Sequence, residues 1–185
     1  MGLPPEKIPF GALEYLDWES EQEGKHEYVA GEVYAMVGVR RVHAIVAGNL
    51  FVRLSEHLRG TPCQPFLSDL KLSVPAMDAF YYPDVMVTCD EADKVADLAI
   101  EHPRLIVEVL SDSTASYDRG AKFAAYRKIE SLQEYVLVDV ERKGVECFRR
   151  KADGQWLLHD YQGAENCEFE SVGLALSMAR VFEDV

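Results

Sequence analysis

The segment PRLIVEVLSDSTASYDRGAKFAAYRK, residues 103–128, joins a strand-like apolar run to a helix-like segment and decides the fold. The run from Leu105 to Leu110 has the composition of a buried strand, but Glu108 interrupts it. On a strand, Glu108 shares one face with Ile106 and Leu110, because side chains alternate between the two faces. A buried carboxylate is costly unless a positive group meets it. The pattern therefore predicts that Glu108 reaches a cleft or a cation.

A second acid and a lysine accompany this glutamate. Asp84 lies in another strand-like run, YYPDVMVTC, residues 81–89. A helix is predicted at about residues 117–129, and it places Asp118 and Lys122, four residues apart, on one face. Two carboxylates from neighbouring strands form a hard oxygen site suited to Mg²⁺ or Mn²⁺. A nearby lysine would orient or deprotonate the attacking water, so the pattern indicates a metal-dependent hydrolytic site.

The remaining segments predict a mixed sheet flanked by helices. We expect a short helix at residues 11–21, a hairpin that turns at Ala30-Gly31, and a long helix from Arg41 to Arg59 that stops at Gly60. Further strands are predicted at residues 69–75, 81–89, 104–110, 134–140, 144–150 and 155–161. This order indicates an α/β fold of the α+β kind, with a central mixed sheet and an N-terminal helix and hairpin. Residues 1–185 are expected to form one domain.

Composition and charge limit the classes of function. With 185 residues and 48% hydrophobic content, the chain has enough apolar material for a proper core. Its formal net charge is −13, from 32 acidic and 19 basic residues, which argues against general affinity for nucleic acids or anionic membranes. A nuclease can nevertheless gather its few basic residues around one groove, with divalent cations offsetting the acids of its site.

The cysteines and the N-terminal sequence bear on cellular location. Cys63, Cys89, Cys147 and Cys167 are widely scattered, with no C-x-x-C pair, which is typical of a reducing, cytoplasmic setting. Nothing at the N-terminus has the order of a signal peptide, and no apolar run approaches the roughly 18 residues that span a bilayer. We therefore expect a cytoplasmic protein that does not contact membranes.

Several short motifs, taken in order, resemble one protein family. They are Pro83-Asp84, Glu108-Val109-Leu110, Ser111-x-Ser113-Thr114, Asp118, Lys122, Tyr126 and Glu134-Tyr135-x-x-Val138-Asp139, with Glu27-x-x-x-Gly31-Glu32 and His43 nearer the N-terminus. Together they resemble the Uma family of restriction-endonuclease-like proteins, within the PD-(D/E)xK nuclease superfamily. Each motif is weak alone, but their order and spacing extend the likeness over most of the chain.

The resemblance implies a restriction-endonuclease-like core and a role for individual residues. Asp84 is similar to the motif aspartate and Glu108 to the second metal-binding acid, with the Val109 carbonyl as a further ligand. Leu110 replaces the basic residue that the superfamily carries two positions after the glutamate, and the resemblance nominates Lys122 in its place. It implies a Mg- or Mn-dependent endonuclease that hydrolyses DNA phosphodiester bonds. A homodimer is expected, because it would present two cutting sites.

Each supporting residue has a structural explanation beside the functional one. Asp118 belongs to the site, or forms only a surface pair with Lys122 worth about 0.3–0.5 kcal/mol. His43 contacts phosphate or assists the site, or is a satisfied packing residue of the long helix. Glu32 lies beside the metal, or is an exposed strand acid. Tyr126 shares a helix face with Lys122 and hydrogen-bonds a site carboxylate, or packs in the core.

Other charged residues receive weaker predictions. Asp69 and Lys71 share one face of a strand and line the groove, or they form a cross-strand ion pair. The basic run Arg149 to Lys151 is expected on a solvated turn.

The acidic net charge supports a rival hypothesis of a different class. It is a catalytically inactive, dimeric binding or regulatory module on the same fold. A third hypothesis is that the same site takes RNA or an unusual nucleotide. The sequence contains no helix-turn-helix, zinc finger or aromatic ribonucleoprotein motif that would identify the substrate.

Overall fold

The computed structural model describes residues 6–7, 11–163 and 166–185. The helices in these ranges are α1 Ala12–Ser20, α2 Arg41–His57, α3 Ala115–Tyr117, α4 Phe123–Tyr126 and α5 Met178–Val181. The strands are β1 Glu6–Lys7, β2 His26–Val29, β3 Glu32–Ala35, β4 Gln64–Leu67, β5 Lys71–Val74, β6 Ala79–Tyr81, β7 Val85–Thr88, β8 Ala99–Ile100, β9 Pro103–Leu110, β10 Glu134–Asp139, β11 Gly144–Arg150, β12 Trp156–Gln162, β13 Asn166–Phe169 and β14 Leu174–Ser177. Within the same ranges, no helix is both long enough and apolar enough to cross a membrane.

The strands form two six-stranded sheets and one two-stranded hairpin. The first sheet has the order β1-β3-β2-β6-β5-β8, and the second has the order β12-β11-β10-β9-β7-β4. Strands β9 and β10 pair in parallel, as do β5 and β8, whereas β7 and β9 pair antiparallel. The separate hairpin consists of β13 and β14. The predicted α+β class with mixed pairing is confirmed, with the strands divided between two large sheets.

Strand β9 lies at the centre of the packing because both its faces are largely apolar. Its residues 105, 107 and 109 belong to a core shared with α2 and α5. Ile106 and Leu110 belong to a second core, shared with α4 and the first sheet. Glu108 alternates with these two residues and points to the same side. The predicted division of the two strand faces is therefore confirmed, and the second sheet is a middle layer.

Two local features match the predictions from turn chemistry. Ala30 and Gly31 both have positive φ, 48° and 86°, as a two-residue turn between β2 and β3 requires. Gly60 has a φ of +80° shortly after α2 ends. Because glycine adopts this left-handed conformation easily, it is a natural stop for the helix. The predicted helix Arg41–Arg59 ends two residues later than the observed one.

The connection between β9 and β10 is a helical segment whose middle is wider than an α-helix. A π-helical stretch, Asp118–Lys122, lies between α3 and α4. The predicted helix at 117–129 begins two residues late and ends three residues late relative to the whole segment. Asp118 and Lys122 are both buried at the ends of the π turn. Such turns occur often at functional sites.

Arg149 lies in β11 and not on a solvated turn. Its side chain is only 4% exposed, and it donates hydrogen bonds to Glu134 Oε1 at 2.8 Å and Glu170 Oε1 at 2.6 Å. It also donates to the hydroxyl of Tyr161 at 2.8 Å. The prediction for this basic run is therefore wrong for Arg149. A buried carboxylate on the neighbouring strand compensates the charge, and sequence spacing does not reveal that partner.

The structure also pairs two of the scattered cysteines. Cys63 and Cys89 form a disulfide across the neighbouring strands β4 and β7, whose register sets Gln64 opposite Thr88. Cys147 and Cys167 are free and buried. The disulfide differs from the expectation of reduced cysteines, which rested on their wide separation in the sequence.

Candidate active site

Asp84 and Glu108 meet because their strands are neighbours. Asp84 immediately precedes β7, and Glu108 lies in the middle of β9, with Val85 opposite Val107 in the antiparallel register. The backbone N–H of Val109 donates a hydrogen bond of 2.7 Å to Asp84 Oδ2. This bond fixes the aspartate beside the glutamate. The structure thus brings the two predicted acids and Val109 together.

Glu108 is buried and held through one oxygen. Its Oε1 accepts a hydrogen bond of 2.9 Å from the hydroxyl of Tyr126 and lies 3.0 Å from Lys122 Nζ. Burial raises the pKa of Glu108 to about 8, although Lys122 opposes the shift, and the negative charge of Asp84 adds to it. Glu108 therefore holds its proton more readily than an exposed glutamate does, unless a cation approaches it.

Lys122 is a buried cation surrounded by acids. It is 6% exposed, and its Nζ lies 2.9 Å from Glu27 Oε1, 3.0 Å from Glu108 Oε1 and 3.9 Å from Asp118 Oδ1. Burial lowers the pKa of Lys122, but these three carboxylates outweigh burial and raise it well above its usual value. The amine is therefore protonated at ordinary pH and cannot act as a proton acceptor.

Glu27 is a member of this cluster that the sequence reasoning missed. It lies in β2 of the first sheet, is buried, and also accepts a hydrogen bond of 3.3 Å from the backbone N–H of Tyr82. Glu32, which was predicted instead, is half-buried in β3 and accepts a hydrogen bond from Tyr34. Among the described residues, Glu32 forms no hydrogen bond or ion pair with Lys122 or with either strand acid. A buried acid in a strand was the available signal, as it was for Glu108.

His43 adjoins Asp84 from the other side of the second sheet. It lies in the first turn of α2, is 9% exposed, and its Nε2 is 3.2 Å from Asp84 Oδ2. Burial lowers the pKa of His43, but the neighbouring Asp84 outweighs burial and raises it overall. Its Nδ1 is buried and has no hydrogen-bond partner among the described residues. His43 thus contacts Asp84, while its role in the site stays a prediction.

Asp118 and Tyr126 also lie in the cluster. Asp118 is 3% exposed, so it is not the surface residue that the simpler explanation required. Burial raises the pKa of Asp118, and Lys122 opposes the shift. Tyr126 is fully buried and both packs in the core and donates to Glu108. The two explanations considered for Tyr126 therefore hold together.

The two predicted groove residues, Asp69 and Lys71, have different partners. Asp69 pairs with Lys25, whereas the Lys71 Nζ lies 5.5 Å from the ring centroid of Tyr82. Because Tyr82 contacts Glu27 through its backbone, Lys71 lies near the edge of the cluster. The alternative of a cross-strand ion pair is thus confirmed for Asp69, and Lys71 has no ion pair among the described residues.

The cluster contains more acidic than basic side chains. Four carboxylates, those of Glu27, Asp84, Glu108 and Asp118, face one lysine and one histidine among the described residues. Buried like charges repel strongly in a low-dielectric interior, so the site favours the entry of a further cation.

The donor atoms fit an open divalent-cation site, in which waters and substrate complete the coordination shell. Asp84 and Glu108 each accept a hydrogen bond through one carboxylate oxygen. The other oxygen of each carboxylate accepts no hydrogen bond from the described residues. No group of three or more His, Cys, Asp or Glu side chains in the described part of the chain is arranged as a metal cage. Mg²⁺ is usually bound by one or two carboxylates, with waters and substrate phosphates completing its shell. The pair therefore suits Mg²⁺ or Mn²⁺ and not a closed structural site.

The fold belongs to the restriction-endonuclease-like class, in which strand acids of a mixed sheet lie beside a basic residue. Within that class the chain belongs to the Uma2 family, described as "Putative restriction endonuclease", whose family model matches residues 12–179. The resemblance found in the sequence is thereby confirmed.

Two relatives and one solved structure are also similar to this chain. The uncharacterized protein slr1290 of Synechocystis sp. (strain ATCC 27184 / PCC 6803 / Kazusa) is 38% identical over 177 residues, which cover 94% of this chain and 93% of the relative. The uncharacterized protein sll1609 of the same strain is 38% identical over 162 residues, covering 86% and 90%. A crystal structure titled "a putative nuclease belonging to DUF820", from Anabaena variabilis ATCC 29413, shares the fold with a TM-score of 0.77. It is 18% identical and covers 94% of this chain and 98% of its own.

Proposed function

We propose that this chain is a metal-dependent endonuclease that hydrolyses DNA phosphodiester bonds. The observation that carries the proposal is the meeting of Asp84, Glu108 and Lys122 in one buried cluster with more acidic than basic side chains. The names given to the family and to the Anabaena structure support the same class of reaction. We further infer that residues 1–185 act as one nuclease domain.

The metal is proposed to be Mg²⁺ or Mn²⁺. Asp84, Glu108 and the carbonyl of Val109 would hold it, since these are hard oxygen donors on adjoining strands. When bound, it would polarise the phosphate and lower the pKa of a water molecule. Its charge would also favour the deprotonated form of Glu108, whose pKa burial has raised to about 8.

The protein's own residues are proposed to bind and orient the reactants. Because Lys122 is held in its protonated form, it would donate hydrogen bonds to the phosphate or orient the water, and would not remove a proton. Glu27 would hold the Lys122 amine in place when the Glu108 carboxylate binds the metal. Tyr126 would fix Glu108, and His43 would fix Asp84. The Asp118 carboxylate would keep Lys122 charged from its own helical turn.

A plasmid cleavage assay tests this function directly. Wild type is compared with Asp84→Asn and Glu108→Gln in Mg²⁺ and in Mn²⁺, on plasmid and on single-stranded DNA. Each variant removes one proposed ligand without changing its size, and we expect the rate to fall by about 100-fold or more. Glu32→Gln is the matched control, since Glu32 contacts Tyr34 and not the cluster.

The same variants separate catalysis from metal binding. Mg²⁺ should raise the melting temperature of wild type and of Glu32→Gln, because a ligand that binds the folded state stabilises it. Asp84→Asn should abolish that rise. Equal cleavage by wild type and both ligand variants would identify a contaminant and end the proposal. A lack of both cleavage and metal stabilisation would favour the inactive binding module.

A further inference from the structure

The outer face of α2 is unusually apolar for a helix at the protein surface. The core face of the helix carries His43, Val46, Ala47, Leu50 and Leu54, all of which are buried. On the side opposite the core, at the spacing of successive turns, lie Arg41, Ala44, Ile45, Gly48 and Val52. Val52 is 45% exposed and Ala44 is also exposed. The helix therefore has apolar residues on both sides, whereas a surface helix normally places polar residues outside.

One continuous segment of this helix contains no charged residues. Residues 42–52, VHAIVAGNLFV, contain no Asp, Glu, Lys or Arg, although 28% of the chain is charged. The face lines a groove of about 560 Å³, bounded at one edge by Asp184. Val37 and Val39, in the segment just before the helix, are apolar and 62% and 58% exposed. Contiguous apolar surface of this kind marks an interaction site.

The distribution of charge favours a second copy of the same chain as the partner. Each copy has a net charge of −13, so two copies approach most easily where their surfaces carry no acid. The N-terminal end of α2 carries Arg40 and Arg41, where the helix dipole disfavours positive charge. The C-terminal end carries Glu56, whose side chain is 58% exposed and pairs on one side with Arg53 of the same helix. The two ends are thus complementary when two such helices lie antiparallel.

We propose that a second copy packs on the outer face of α2, with the two helices antiparallel about a two-fold axis near Gly48. Symmetry then sets Ala44 opposite Val52 of the partner subunit, a small side chain against a larger one. It also brings Arg41 beside the partner's Glu56, whereas Arg40 already lies 3.6 Å from Glu141 of its own chain. A methyl group added at Gly48 would meet no atom within 4 Å, so the space above it is open to the second helix.

The size of the face sets the expected strength of the dimer. A helix of 17 residues is about 25 Å long, and a strip about 10 Å wide covers roughly 250 Å². Stable interfaces bury about 800 Å² on each partner, so the helix alone is too small for a tight dimer. We therefore expect a reversible dimer, with the surface around Val37 and Val39 contributing to the contact.

Sedimentation velocity over a range of protein concentrations measures the dimer. Wild type should change from the mass of one 20.9 kDa chain to twice that mass as concentration rises. Gly48→Glu should remain monomeric at every concentration, because it places an unpaired charge at the centre of the contact. Circular dichroism should show unchanged helix content, since the new side chain meets open space in the monomer. Gly24→Glu adds the same charge on an exposed loop outside α2 and should dimerise like wild type.

Charge reversal tests the antiparallel arrangement. Arg41→Glu should weaken the dimer, and the double variant Arg41→Glu/Glu56→Arg should restore it, because the attraction between the two ends is re-formed with opposite signs. A monomeric wild type, or dimerisation of Gly48→Glu equal to that of wild type, would overturn the proposal. A double variant that is no tighter than Arg41→Glu would overturn the antiparallel arrangement. None of these measurements depends on nuclease activity.

Discussion

Substitution of Lys122 by methionine removes the positive charge from the acidic cluster and keeps a long side chain. The ammonium lies 2.9 Å from Glu27 Oε1 and 3.0 Å from Glu108 Oε1. At an effective dielectric constant of about 20, the pair with Glu27 attracts by about 5–6 kcal/mol, and desolvation of the charges offsets much of this. Glu108, whose pKa is about 8, adds a full charge only above that pH. Removing one partner of a buried pair costs about 3–5 kcal/mol in general. We expect Lys122→Met to lower the free energy of unfolding at pH 7 by that amount.

The loss of stability should become smaller in acid. Glu108, whose pKa burial raises to about 8, is already mainly protonated at pH 7 in wild type and in the variant, so it contributes equally to both below that pH. The difference comes from Asp118, because burial raises its pKa and the variant lacks the Lys122 charge that opposes this shift. An acid whose pKa is higher in the folded than in the unfolded state binds more protons when folded. Its stability contribution therefore grows as pH falls towards the unfolded pKa. Lys122→Met should regain stability, relative to wild type, between pH 7 and pH 5.

Urea unfolding followed by tryptophan fluorescence measures both effects. Lys94→Met is the matched control, since Lys94 pairs with the exposed Glu91 and its loss should cost less than about 1 kcal/mol. The double variant Lys122→Met/Glu108→Gln should be less destabilised than the sum of the single variants, because the two groups interact directly. A loss below about 1 kcal/mol at pH 7, or the same loss at both pH values, would refute the reasoning.

Three other parts of the structure give independent tests. Glu27→Gln should lower kcat for DNA cleavage by about 10-fold with little change in KM, while Glu32→Gln leaves both unchanged. Steady-state kinetics measures both, and a kcat of Glu27→Gln equal to that of wild type would contradict its role in holding Lys122. Asp93 is buried, and hydrogen bonds from the Glu101 N–H and Thr88 overcome that burial and lower its pKa. Its stability contribution is therefore present above the unfolded pKa and lost as pH falls through the folded one, so Asp93→Asn should flatten the acid limb of a thermal melting profile. Replacing both Cys63 and Cys89 with serine should cost about 3 kcal/mol in urea unfolding, since their disulfide closes a loop of 26 residues, and a variant as stable as oxidised wild type would contradict this.

Local patterns in the sequence were sufficient for much of the second sheet. The alternation around Glu108 predicted which strand residues share a face, because side-chain direction in a strand depends only on position. Ala30-Gly31 and Gly60 predicted a turn and a helix end for an equally local reason, namely the backbone conformations they favour. The approach of Asp84 to Glu108 required only that their strands be neighbours.

Features that depend on partners distant in the chain could not be predicted in the same way. Glu27 reaches Lys122 only because the first sheet packs against the helical segment between β9 and β10. An acid in a predicted strand was the one local signal, and it does not identify Lys122 as the partner. The sequence around Arg149 indicates a surface residue, because the buried partner that accepts its hydrogen bond, Glu134, lies on another strand. The division of strands between two sheets likewise depends on long-range pairing such as that of Tyr28 with Phe80.

The location of Lys122 on a helix affects how relatives of this chain can be recognised. Since the amine comes from the π turn, Leu110 stays apolar and packs in the core beside Ile106. A pattern search that requires a lysine two positions after the glutamate will pass over such chains. A search for a strand glutamate followed fourteen positions later by a helical lysine, with a second glutamate in an N-terminal hairpin, would retrieve them. In this chain the site residues that identify the family are therefore contributed by two sheets. In the sequence they extend from Glu27 to Lys122.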